Sequence, residues 1–437
     1  MSFDHAVVMG AGIAGHAAAA VLARTFQRVT VLEHDAFPEA VAPRDGVPQA
    51  HHVHWWLGRG DELLADLFPG LPDQLRERGG LRIDWSRDVR WHEHGVWKSH
   101  SPSDIESWST SRALLEVCLR AELDTLPNVR LQPNTAAKGL VLDAEKRRVT
   151  GVDTPSGVLE ADVVADCTGR NSPVFGWLEA AGIPAVPETQ VHGDVVCATR
   201  QMLPRTPPEF NGLLQRAQAP DKRSAIAFAI EDRRWMVTLF GVHGEAPPDD
   251  DAEWRTFARA LPDRTVAALI ADCQPLTPVV RTTFRGSRWR RVERAKLPGR
   301  LVILGEALCS LNPLYGQGMT LAVLQAHTLG RLLQGLEAKD LDRALRKAPG
   351  HLAKVLRPAW DLAAREDFRH AETTGDRSTF TGLVNRYTHR LSQLAEQDAA
   401  LSLKAQRVLH LQAPLTSLFD QGTVWKVLRG PSAPPTK

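Results

Sequence analysis

Two clusters of glycine and acid in this chain have the spacing to do chemistry. The first is GAGIAG, which places Gly10, Gly12, Ala14 and Gly15 directly after the apolar run HAVVM. Such a glycine triplet turns the chain tightly, brings backbone N–H groups up to a pyrophosphate, and lets a helix pack closely on the preceding strand. Glycine triplets also arise by chance in Ala/Gly-rich loops, so the context decides. Here RVTVLE (28–33) ends a second β-branched run in Glu33, 18 residues after Gly15. An acid at that place accepts hydrogen bonds from ribose hydroxyls and disfavours a 2′-phosphate. The pattern predicts a site for FAD or NAD rather than NADP.

The second cluster is LVILGEALCSLNPLYGQGMT, residues 301–320. It reads as a buried strand, a turn carrying Glu306, and a small-residue loop opening a helix. Pro313 stiffens the loop, while Gly316 and Gly318 free the backbone to approach a flat ring. A helix starting near Gly318 aims its amides and positive dipole end at that ring, which stabilises negative charge on the pyrimidine edge of a reduced flavin.

Weaker signals surround these two. WSTSRALLEVCLRAEL (108–123) sets Arg112 at the start of an amphipathic helix, where a guanidinium either reaches a phosphate or is simply solvated. ADCTGRNSP (165–173) ends a strand in Asp166 followed by small residues suited to close backbone approach. His51, His52 and His54 have no cysteine or carboxylate at ligand spacing, so polar or packing roles are expected and no metal. Cys309 is expected as a small buried residue. The run RTTFRGSRWRRVERAK (281–296) is expected as a solvated face with ion pairs, Glu293 among them.

The elements that must position these residues follow from periodicity. Strand, glycine turn, helix and strand over residues 5–33 form a βαβ unit, the start of a parallel sheet. GVLEADVVADCTG (157–169) and GRLVILGEA (299–307) read as further strands of that sheet, so its domain is discontinuous. SAIAFAIEDRRWMVTLFG (224–241) predicts two antiparallel strands around a polar turn at EDRR. The expected class is α/β: a discontinuous Rossmann-type domain (1–80, 105–189, 295–335), an inserted antiparallel-sheet substrate domain (81–104, 190–294) and a helical C-terminal region (336–437). The tail GPSAPPTK has a disordered composition.

Composition narrows the classes. With 437 residues, 43% hydrophobic and 24% charged, the chain is of globular type, and a formal charge of +2 gives no case for nucleic acid. Five scattered cysteines without a C-x-x-C pair fit reduced thiols in a cytoplasmic protein. No apolar run approaches the roughly 20 residues of a membrane span, and peripheral attachment stays open.

Taken together the motifs resemble group A flavoprotein monooxygenases, the para-hydroxybenzoate hydroxylase type of fold. PRDGVPQAHHVHWWLGRGDELLADLFPG (43–70), GEALCSLNPLYGQGM, PAWDLAAREDF (358–368) and AEQDAALSLKAQRVLHL (395–411) further resemble a bacterial subfamily that includes polyene epoxidases of polyether biosynthesis. The resemblance implies FAD, with Gly10, Gly12, Gly15 and Glu33 on its ADP half and Arg112 and Asp166 near the pyrophosphate and ribityl chain. It implies Pro313, Gly316, Gln317, Gly318 and Met319 around the ring, and puts Arg44, His52 and His54 close to the flavin as candidate catalytic groups. Glu306 stands where the family usually has Asp, one methylene shorter, and Cys197 where a tyrosine often stands.

The activity so implied is insertion of one oxygen atom of O2, as epoxidation or hydroxylation, through a flavin hydroperoxide. Twelve tryptophans against two tyrosines suggest apolar walls and a lipophilic specialised-metabolite substrate, free or carrier-bound. Electrons come from NADH or NADPH directly or through a separate flavin reductase, since no second dinucleotide turn is visible. Three alternatives differ in class, one of them a non-catalytic FAD-binding or partner-binding protein. A flavin halogenase would carry a W-x-W-x-I-P run that is missing, and Lys98 has no halogenase context. A cyclase or isomerase would keep FAD only as a structural element.

Overall fold

The computed structural model describes residues 3–93, 95–98, 101–379, 381–396 and 398–429. Its first layer is a five-stranded parallel sheet made of β1 (Phe3–Met9), β2 (Phe26–Leu32), β3 (Val129–Gln132), β4 (Val163–Asp166) and β5 (Leu301–Ile303), in the order β5-β4-β1-β2-β3. Its inner strands are short apolar runs largely buried on both faces, as helix-covered parallel strands must be, while the edge strand β3 is half-exposed. Helix α1 (Ile13–Ala23) is buried throughout, which its alanines permit. It packs against α3 (Gly318–Leu333) so closely that a Cβ on Gly330 would lie 3.0 Å from Val21 Cβ.

Register is what assembles the site. Met9 pairs with Leu32 and Asp166, Asp166 with Ile303, and Leu32 with Gln132. The strands therefore end together, and Gly10, Glu33, Cys167 and Leu304 follow at one carboxyl edge. Ligands of open α/β sheets bind at that edge. The 157–169 run does not form one strand. It divides into Gly157–Glu160, part of a separate three-stranded sheet, and β4, because Asp162 between them turns its carboxylate to the amides of Asp4 and His5.

The second layer is an eight-stranded, mainly antiparallel sheet centred on Val195–Pro204, Trp235–Val242 and Arg223–Ala229. The hairpin at EDRR forms as its sequence predicts, with Ala229 opposite Trp235 and a short 3-10 turn over Glu231–Arg233. One sheet face packs on Trp254, Phe257 and Ile270; the other gathers Trp55, Trp85, Phe228, Phe240 and Leu314 toward the parallel sheet's carboxyl edge.

The C-terminal layer is helical: α4 (Leu341–Asp367), then helices over Thr381–Ala395, Ala399–Leu409 and Gln421–Arg429. The tail GPSAPPTK, residues 430–437, lies outside the described residues. No helix among the described residues is long and apolar enough to cross a membrane.

Candidate flavin site

The glycine turn has no room for side chains. Gly10 adopts φ +95°, and a Cβ there would lie 2.7 Å from the Cys167 carbonyl oxygen, while one on Gly15 would lie 1.8 Å from the Gly10 oxygen. Gly12 begins α1 in extended backbone with no capping side chain, so the helix start is left for an external acceptor.

Around this turn every acid is engaged. Glu33 accepts from Ala11 N at 2.8 Å, Asp35 N at 3.1 Å and Arg44 Nη1 at 2.8 Å, with His34 Nδ1 at 2.8 Å. A carboxylate offers about four acceptor positions, and His34 is the exposed member of this set. Burial works against the charge on Glu33, but Arg44 and the two backbone donors outweigh it and hold the carboxyl below its ordinary value. Arg44 lies at this turn and not at the ring end. Its Nη2 donates to the Ala11 oxygen at 3.0 Å, and its Nε donates to Glu116 at 3.0 Å.

Glu116 had no place in the sequence reading. It sits one turn along α2 (Arg112–Asp124) from Arg112, whose Nε donates to it at 2.8 Å. Ser111 caps that helix by accepting from Leu114 N, which places Arg112 at its first position. Burial opposes ionisation of Glu116, yet Arg112 and Arg44 prevail and draw it down to about 2.

Asp166 is fully buried and is spent on its own loop. It accepts from Thr168 N at 3.0 Å, Thr168 Oγ1 at 2.6 Å and Ser172 Oγ at 2.5 Å, so it shapes the loop after β4 from beneath. That loop carries Arg170, which donates to Ser310 Oγ and the Gly286 oxygen, both at 2.8 Å.

The ring end is different. Glu306 is half-buried and has no hydrogen-bond partner among the described residues. Burial pushes its carboxyl up, with Arg112 and Arg170 pulling the other way. It lies between two helix starts. Gly305 before it (φ +64°) would bring a Cβ to 2.6 Å from Ala14 in α1, and a Cβ on Gly318 in α3 would lie 3.8 Å from Glu306 Oε1. Gln317, 1% exposed at the head of α3, has neither amide oxygen nor nitrogen bonded. Met319 packs into the core behind it, and Pro313 opens a 3-10 turn that Asn312 caps at Leu314 N. Gly316 (φ +62°) does meet a flat ring, but an intramolecular one: a Cβ there would lie 1.3 Å from Trp55 Nε1.

The histidines hold the sheet. His52 spans Thr199 Oγ1 at 2.7 Å and Thr282 Oγ1 at 2.8 Å, tying its loop to two strands, and burial lowers its pKa to about 4. His54 Nδ1 lies 2.9 Å from the His52 oxygen, and burial lowers it to about 3. His51 is exposed. Cys309 and Cys197 are buried thiols; burial raises both, Cys197 to about 12. Within the arginine run, Glu293 pairs with Arg291 at 2.6 Å and Glu188 with Arg290 at 3.4 Å.

These residues fit a dinucleotide flavin. The clamped arginines and bare helix start suit a diphosphate, and the unpaired Glu306 and Gln317 suit hydroxyls and a heterocycle edge that lack other partners. Two clefts share Arg216, Gln218, Glu366 and Arg369, one of them lined by Tyr315 and the other lying among the C-terminal helices. The one among the C-terminal helices sets Leu391, Val408 and Leu418 beside charged Lys98, Arg365 and Glu396.

No protein-family model matches the chain. Protein Rv3254 of Mycobacterium tuberculosis is 33% identical over 395 residues, covering 84% of this chain and 81% of that protein. The 6-hydroxynicotinate 3-monooxygenase of Bordetella bronchiseptica is 25% identical over 365 residues, covering 78% and 85%. Among solved structures, p-nitrophenol 4-monooxygenase PnpA of Pseudomonas putida superposes with a TM-score of 0.63 at 19% identity, over 96% of this chain and all of that one. The flavin-dependent brominase Bmp2 does so with 0.65 at 13%, over 97% and 99%. The chain belongs to the family of protein Rv3254, and its fold is that of the solved flavin-dependent monooxygenases and halogenases.

Proposed function

We propose that the protein inserts one oxygen atom of O2 into a lipophilic small molecule, as an epoxidation or hydroxylation. The observation that carries this reading is the unpaired Glu306 and Gln317 between two helix starts, in line with a glycine turn flanked by two guanidiniums. FAD bound there supplies the activation of O2 and the electrophilic oxygen. The chain's own residues bind and orient. Glu33 takes the ribose, Arg112 the diphosphate, Glu306 a ribityl hydroxyl and Gln317 the ring edge. The cluster of Trp55, Trp85, Phe228 and Leu314 excludes water on the sheet side.

The apolar side of the cleft among the C-terminal helices supports the lipophilic substrate, free or carrier-bound, of specialised-metabolite type, with Lys98, Arg216 and Arg365 on its polar side. NADH or NADPH serves as reductant directly or through a separate flavin reductase. A cytoplasmic protein peripheral to a membrane fits the exposed Leu383, Trp425 and Leu428 beside Arg386 and Arg429. Oxygenation is favoured over halogenation because Lys98 is committed to Glu93 at 2.9 Å and to the Trp91 ring at 3.8 Å.

The test is to titrate the protein with FAD, follow NADH and NADPH oxidation, and supply candidate alkenes and arenes under oxygen-18 gas. Flavin binding with one labelled oxygen in product is expected. Turnover without oxygen or reductant would replace this reading with a cyclase.

A further inference from the structure

We propose that Glu116 is a positioning residue, which sets the guanidinium group of Arg112 for the diphosphate of the bound dinucleotide; this rests on the FAD reading above. Both arginines offer Glu116 their Nε, at 2.8 and 3.0 Å, one to each carboxylate oxygen. The three side chains are 7%, 2% and 5% exposed. A buried ion triad adds little net stability, because desolvation cancels most of the attraction. What it does is orient.

With Nε engaged, Arg112 turns a terminal nitrogen toward the GAGIAG turn, while the terminal nitrogens of Arg44 are taken by Glu33, Asp35 and the Ala11 oxygen. Arg112 Nη2 lies 3.7 Å from where a Cβ of Gly12 would stand, and Arg44 Nη2 donates to Ala11 O at 3.0 Å. The terminal nitrogens of Arg112 have no protein acceptor among the described residues. A planar pair of N–H donors held at a bare helix start matches phosphate oxygens. Glu116 also relieves the repulsion between two buried cations, so Arg112 stands ready before the ligand arrives while Arg44 anchors the carboxylate. The neighbouring His16, lowered to about 4 by burial, adds no competing charge at neutral pH.

The test compares wild type, Glu116→Gln, Glu116→Asp, Arg112→Gln and the Glu116→Gln/Arg112→Gln double variant in titrations with FAD, ADP and riboflavin. Glu116→Gln is expected to weaken FAD and ADP by about tenfold, the size of one charge-assisted contact, and to leave riboflavin, which has no phosphate, unchanged. In the Arg112→Gln background the same change is expected to cost under about threefold, because the two act as one unit. Glu116→Asp keeps the charge and is expected to fall between wild type and Glu116→Gln, which holds the test open should Glu116→Gln not fold. Unchanged FAD and ADP binding, equal loss of riboflavin, or full multiplication of the two single effects would overturn the proposal. A wild type that binds neither FAD nor ADP would instead remove the functional reading on which it rests.

Discussion

The two halves of the candidate flavin site handle their acids in opposite ways. At the nucleotide turn Glu33 and Glu116 are saturated with donors and held ionised. At the ring end Glu306 faces only distant arginines and burial pushes it toward the neutral form. The contrast teaches that the nucleotide half is built before a ligand arrives, whereas the ring half is completed by one. It also gives the two acids opposite pH signatures. Glu116, held at about 2, stabilises the fold fully above its ordinary value of 4.5, and this is lost as pH falls toward 2. Glu306 titrates above 4.5 when folded, so its contribution worsens as pH rises through that folded value.

The sharpest way to break the comparison is Gly15→Val. With the Cβ 1.8 Å from the Gly10 oxygen, the turn cannot form, and a loss of about 4 kcal/mol or more in urea unfolding is expected. If the nucleotide half tolerates it, that half is not pre-built. Next, Trp55→Ala removes the indole seated on Gly316 and is expected to cost about 3 kcal/mol in unfolding while leaving ADP affinity unchanged. A loss of ADP binding would mean that the halves are not separable.

Glu306→Gln should raise the stability of the flavin-free protein at pH 7 and flatten its decline above pH 5, yet weaken FAD by the roughly 1.5–3 kcal/mol of a charged hydrogen bond. Glu306→Asp should tighten FAD if the extra methylene is a compromise; unchanged or weaker binding would show a site shaped around Glu. The smallest effect belongs to His52→Asn. With His52 neutral near pH 7 and bonded to two threonines, a loss of about 1 kcal/mol is expected, with FAD affinity flat from pH 6 to 8.

Much of the architecture was legible because it is written in local pattern. The βαβ unit, the EDRR hairpin and the helical C-terminal region follow from runs of apolar residues and their glycine or polar breaks. Asp166 shows where such reading stops. Its position at the end of β4 was plain, but its side chain turns inward to Thr168 and Ser172, which only the loop conformation decides. Arg170 lay in the same quoted loop, and its charge beside the Glu306 region was the available signal.

By itself the sequence determined which residue types stand at the glycine turn, at the end of β2 and at the head of α3, because tight turns and helix starts depend on neighbours in the chain. Only the tertiary structure decided which acids are paired. Arg44 meets Glu116 across 72 residues, and Trp55 covers Gly316 from a distant segment. Whether a carboxylate is saturated or left open depends on donors brought in by packing, and no local period records that.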